Sequence, residues 1–197
     1  MGTQVNTVKE KTVFNGHEVY HIIQETKSNS FASIFIRIHD VVECYIDAKK
    51  LFPRLIRKEI SEGKTQKKLT IELDWEKGKA RFRQESPEFS EIISPLPEFA
   101  LDTVSLTYYL RTLNLEAGMI IPLFIILDQE IKPVIGKVKP NQKLNFSWGE
   151  EDCNLIIEEV SHLKIWRLKD GTKIPLIIMQ QNTSGDLVGT LRELPRE

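Results

Sequence analysis

The chain reads as a mainly β protein: an antiparallel meander forming a curved half-barrel or barrel-like sheet, with one short α-helix near 102–113. Three observations carry that reading. Apolar and polar residues alternate with period 2 through much of the 197 residues, hairpin-forming dipeptides recur between the alternating runs, and one segment has helical spacing. A chain of this length can bury one sizeable core without staples, so it reads as a single domain, 1–197.

The elements follow in order. Strands are expected at 4–13 and 18–27, joined by Asn15-Gly16, a dipeptide suited to tight hairpins. Residues 32–46 alternate well: Ile34, Ile36, Ile38, Val42, Cys44 and Ile46 share one face, while Arg37, His39, Glu43 and Asp47 share the other. Further strands are expected at 53–61, 69–73 and 80–83, with Glu62-Gly63 and Lys77-Gly78 as turns. The stretch from Ser86 to Phe99 holds Pro87, Pro95 and Pro97 and reads as an irregular surface crossing.

Next comes the exception. Leu101, Val104, Ser105, Tyr108, Tyr109 and Leu113 fall at helical spacing, Asp102 is a suitable N-cap, and Gly118 lies just beyond the end. A helix here would plug or cap the open side of a curved sheet, burying Leu101, Val104, Tyr108 and Leu113 and leaving Arg111 in solvent or at a cavity rim. Strands resume at 119–127, 131–138, 154–160, 163–169, 174–181 and 186–193, with turns at Asp170-Gly171 and Gly185-Asp186.

Composition narrows the function. The 27 basic and 28 acidic residues nearly cancel, and neither half of the chain is a basic arm, so a phosphate-neutralising surface for nucleic acid is not expected. The longest apolar stretch, Met119 to Leu127, is interrupted by Pro122 and is too short to span a membrane. The N-terminus shows no basic region followed by an apolar one, hence no visible signal peptide; either the protein is cytosolic or the sequence begins after a leader. Cys44 and Cys153 stand in strand-like surroundings, and whether they pair is left open by the sequence.

One motif imitates an enzyme. His17-Glu18-Val19-Tyr20-His21 matches the H-E-x-x-H zinc-protease pattern, in which two histidines one helical turn apart converge on the metal. Here the motif follows a hairpin turn and runs through strand formers. Extended, its two histidine Cα atoms stand about 13 Å apart, too far to share an ion. The match reads as accidental.

Other constellations are weaker. His39-Asp40 has no accompanying nucleophile turn, and the sequence lacks G-x-S-x-G, a Gly-rich phosphate loop and a C-x-x-C pair. No catalytic residue, metal site or cofactor is therefore expected. The residues singled out as ligand or partner contacts are Tyr108, Tyr109 and Arg111 on the helix and Trp166 on a late strand.

The order of landmarks is itself informative. Gly16, Tyr20-His21-Ile22, Lys27 to Phe31, Ile38-His39-Asp40 and Tyr45-Ile46-Asp47 lead to Leu51-Phe52-Pro53. Later come Gly63-Lys64, Asp74-Trp75, Lys79-Ala80, Asp102, Ser105, Tyr108 to Leu113, Trp166, Asp170 and Ile174-Pro175. This series resembles the bacterial "domain of unknown function 3108" family over nearly the whole chain, most weakly at 131–150. The resemblance implies an exported, β-rich protein of Gram-negative-type bacteria with no assigned activity, so no catalytic residues carry over. Members carry a leader and one or two strands before the part matching Gly2-Thr3. The expectation is that the native reading frame extends upstream to encode both.

Three functions of different class follow. The leading one is a non-enzymatic, periplasmic cell-envelope protein holding an apolar or lipid-like ligand in its curved sheet. The alternative is a periplasmic protein–protein interaction or scaffold module using a sheet edge or face. A hydrolase stands last.

Overall fold

The structure is a computed structural model that describes residues 2–28, 37–159, 162–182 and 185–193. The described residues fall into two compact units, one drawn from Met1–Leu106 with Phe124–Lys132, the other from Thr107–Leu123 with Pro133–Glu197.

The first unit carries a seven-stranded meander in sequence order: β1 (Gly2–Phe14), β2 (His17–Ser28), β3 (His39–Asp47), β4 (Pro53–Glu62), β5 (Thr65–Asp74), β6 (Lys79–Ser86) and β7 (Ser90–Pro95). Every neighbouring pair is antiparallel. The turn between β1 and β2 holds Asn15 and Gly16 at φ 47° and 81°, the left-handed pair that a two-residue hairpin demands.

Register explains this unit's core. Ile22, Cys44, Ile56, Ile71 and Phe82 are successive cross-strand partners, so they form one row on one face, and all five are at most 2% exposed. The row continues outward to Val8 on β1 and Ile92 on β7, and there exposure rises to 51% and 38%. The row is buried at its centre and exposed at both ends.

The opposite face has its own small cluster. Asp47 accepts from Arg54 Nε at 3.0 Å and from the backbone N–H groups of Lys49 and Lys50, all at its two carboxylate oxygens. Arg54 also reaches Glu76, and Glu76 lies 3.4 Å from His17 Nε2. Despite the desolvation that raises it, this network holds the Asp47 carboxyl below its ordinary value.

The chain continues through β8 (Ala100–Leu101), α1 (Thr103–Leu110), β9 (Ile120–Ile126), β10 (Ile131–Phe146), β11 (Gly149–Glu158), β12 (Leu163–Leu168), β13 (Pro175–Asn182) and β14 (Gly185–Thr190). The second sheet is ordered β14-β13-β12-β11-β10-β9-β8. From β10 to β14 the pairs are antiparallel, whereas β8 runs parallel to β9. The described residues are mainly β, in antiparallel meanders but for the β8–β9 pair, with one short helix, as expected.

Several boundaries move, each for a physical reason. The proline-bearing stretch 86–99 contains β7, tolerated because β7 is an edge strand with one side free of ladder bonds. β10 does not end at 138: Pro140 falls where the register shifts between Lys139 and Gln142, so the strand is interrupted by an irregularity and then resumes. The helix is shorter than 102–113. Beyond Leu110 the N–H groups of Arg111, Thr112 and Leu113 bond three residues back, tightening the last turn. Val104 and Leu101 are fully buried, but Tyr108 and Leu113 are only half-buried, correcting the burial expected of them. Arg111 is exposed, as anticipated. The start of the strand expected at 32–46 lies in 32–36, outside the described residues.

Candidate functional site

The protease-like motif is on β2, a strand. His17 opposes Phe14 and His21 opposes Glu10 across the ladder, so the two imidazoles are separated along extended backbone. His21 stacks on Tyr45 with ring centroids 4.5 Å apart, and Glu18 forms a surface pair with Lys11 at 3.1 Å. The geometry that converges two histidines and a base on one ion is absent from 17–21, because that geometry needs a helix.

The cysteines are both free and buried. Cys44 donates to Asp102 Oδ1 at 3.6 Å, and burial followed by the adjacent carboxylate pushes its thiol well above the ordinary value. Burial also pushes Cys153 up, to about 11. Neither is poised as a nucleophile, since nucleophilicity requires the thiolate.

Helix α1 begins as the sequence indicates. Asp102 accepts from the N–H groups of Val104 at 3.2 Å and Ser105 at 3.0 Å, and Ser105 Oγ accepts in return from the Asp102 N–H at 3.0 Å. That reciprocal arrangement satisfies the orphan donors of the first turn.

The other end is held by a residue that the sequence reading passed over. Arg167 on β12 is 2% exposed, and its Nη1 donates to the carbonyl oxygens of Leu110 at 2.6 Å and Leu113 at 2.9 Å. Its Nη2 donates to Asn154 Oδ1 at 3.0 Å, and Nε has no partner among the described residues. Burial lowers the guanidinium pKa from its ordinary value, while the negative end of a helix favours the cation. The signal was present: Leu163, Ile165 and Arg167 share a face of β12, placing one charged group in an apolar row.

Of the four residues singled out, the second unit holds all. Tyr108 and Tyr109 are half-buried on α1, and exposed Arg111 donates from Nε to the Thr172 carbonyl at 3.3 Å. Trp166 is next to Arg167 on β12 and so projects from the other face, away from the helix end that Arg167 caps. The helix residues and Trp166 therefore do not form one site.

Trp166 has different company. Its indole N–H donates to Gln142 Oε1 at 2.7 Å, and it packs with Leu144, Phe146, Trp148 and Ile177 around buried Cys153, Leu168 and Leu176. Phe146 and Trp148 stack at 4.8 Å, and the Trp148 indole N–H donates to Glu151 at 3.1 Å. The aromatic side chains are half-buried rather than enclosed, leaving apolar surface on this face of the sheet. Chemically, such an arrangement binds by contact area and orients by its few polar groups; it contains no nucleophile–base pair.

Comparison with known proteins agrees with the fold and adds no activity. A crystal structure of a beta-barrel-like protein of domain of unknown function DUF1849 from Brucella abortus superposes with a TM-score of 0.59 at 11% identity, covering 96% of this chain and 85% of that one. A search of curated proteins returned no match. The family model described as "Protein of unknown function (DUF3108)" matches residues 1–192, and this chain belongs to that family.

Proposed function

We propose that this protein is a non-enzymatic binding protein of the bacterial cell envelope, working in the periplasm, and that it holds an apolar or lipid-like molecule. The observation that carries the reading is the half-exposed aromatic and aliphatic face around Trp166, in which buried Cys153, Leu168 and Leu176 are ringed by Leu144, Phe146, Trp148 and Ile177. Apolar side chains left partly open on a sheet face favour a ligand that removes them from water, at roughly 25 cal/mol per Å² covered. The ring N–H groups are already held by Gln142 and Glu151, so their orientation costs a ligand nothing.

A second reading has its own support. β1 spans Gly2–Phe14 at the end of its sheet and is exposed over nearly all its length, which suits a module that pairs with a strand of another protein.

Native mass spectrometry of the protein purified from its own bacterial host separates the two. A copurified small apolar mass, displaced by Trp166→Ala, is expected. A copurified protein in its place would favour the interaction module. Recovery in the cytosolic rather than the osmotic-shock fraction would remove the periplasmic assignment.

A further inference from the structure

We infer that the molecule held on the Trp166 face is a single-chain amphiphile with an anionic head, the head bound by Lys139 and Lys164 and the chain lying over Trp166, Ile177 and Met179. This rests on the binding reading above and adds the sign and place of the ligand's charge.

The ladder places these groups. Lys139, Leu155, Trp166 and Ile177 are successive cross-strand partners from β10 to β13, and Lys137, Ile157, Lys164 and Met179 form the next such row. Residues two apart on a strand share a face, so the two rows are adjacent stripes of one surface. It is therefore apolar toward β13 and basic toward β10, with Lys164 intruding between Ile157 and Met179.

The charges on this surface do not cancel. Lys137 pairs with Glu159 at 3.0 Å, but Lys139 and Lys164 have no carboxylate within ion-pair distance among the described residues. Lys139 also contributes to holding the Glu159 carboxyl below its ordinary value, after the larger effect of Lys137, so one acid faces two lysines. Lys139 and Lys164 are both half-buried, and their cross-strand partners are Leu155 for the first and Ile157 and Met179 for the second. Their Cα atoms, two strands and two residues apart, are about 12 Å from one another, within reach of a common headgroup for two long side chains. An apolar stripe ending at two ammonium groups that make no ion pair among the described residues fits an aliphatic chain carrying one negative charge. A neutral apolar ligand would leave both cations beside it unpaired.

The test uses the full chain and two probes that differ only in the head. Decanoate, below its micellar concentration, and decanol are titrated while tryptophan fluorescence is followed. Decanoate is expected to bind at least tenfold tighter at low salt, and the advantage should shrink as salt is raised. Lys139→Gln with Lys164→Gln should abolish the advantage and leave decanol binding unchanged. Equal affinity for the two probes, with no salt dependence, would overturn the headgroup assignment while leaving an apolar site intact. Failure of both to bind would overturn the binding reading itself. Binding to vesicles containing phosphatidylglycerol without binding to monomeric decanoate would assign the face to a membrane surface and overturn the proposal. The salt series on the unaltered protein decides the matter even if the double variant does not fold.

Discussion

Arg167 grips the Leu110 carbonyl oxygen at 2.6 Å, so a strand supplies the C-terminal cap of the only α-helix among the described residues. Without it, the Leu113 carbonyl and the amide oxygen of Asn154 would lose the Arg167 donor, and the buried Leu110 carbonyl would keep only the long 3.4 Å bond from the Leu113 N–H. Arg167→Met is expected to cost about 1–3 kcal/mol, the range for stranding buried hydrogen-bonding groups. Arg167→Lys should recover only part, because an ammonium cannot reproduce the planar fork. Urea unfolding measures both, and a stability loss below the experimental error for Arg167→Met would refute the cap.

The other helix end offers a parallel test. Asp102→Ala removes the acceptor for the Val104 and Ser105 N–H groups and should lower stability by about 1–2 kcal/mol. Asp102→Asn keeps one side-chain oxygen and should cost less. Equal losses in thermal or urea melts would mean that the negative charge, rather than the acceptor geometry, is what matters.

Thiol chemistry follows from burial. Cys44 and Cys153 are both 0% exposed, with pKa values pushed well above normal for the first and to about 11 for the second. At pH 8 neither should react appreciably with an aromatic disulfide reagent until the chain unfolds. Two equivalents released at once from native protein would contradict the burial.

The carboxyls of Asp40 and Glu62 give a pH signature. Burial raises Asp40, and burial together with the neighbouring Asp40 raises Glu62. Folding therefore takes up protons here, so the pair's contribution is most favourable below the ordinary carboxylate values. It falls as pH rises through the folded ones. Asp40→Asn keeps an acceptor for the Ser61 N–H, bonded at 2.9 Å, and removes the like charge. It should flatten the stability profile between mildly acidic and neutral pH; an unchanged slope would count against the pairing.

For the His17–His21 segment, the extended backbone predicts no tight zinc binding. Equimolar zinc retained through gel filtration and lost in His21→Ala would reverse that reading.

The legibility of this fold in its sequence varied with the physics of each segment. Residues 17–28 and 39–47 were plain because period-2 alternation is what a one-sided core produces, and the buried row through Ile22 and Cys44 is that pattern made real. Asp102 was equally plain, since a capping side chain acts within three residues of itself. β7 was missed because proline at an edge strand and proline in a loop look alike until the neighbour on one side is known to be missing. Arg167 was missed for a related reason: its partners Leu110 and Leu113 lie more than fifty positions upstream, and backbone carbonyls leave no mark in a sequence. The Trp166 face was half visible. The tryptophan stood out, but Lys139 and Lys164 join it only through a register that the bulge after Lys139 shifts.

The bare flank of the first sheet has a consequence in time as well as in space. Among the described residues β1 pairs with β2 alone, and its positions from Gly2 to Glu10 are all exposed, so little apolar burial opposes its detachment. Its amides should exchange with deuterium well before those of β3 to β5, whose buried row must come apart first. The sheet is thus expected to open from its first hairpin inward, and a protease given the native protein should find its earliest cuts there.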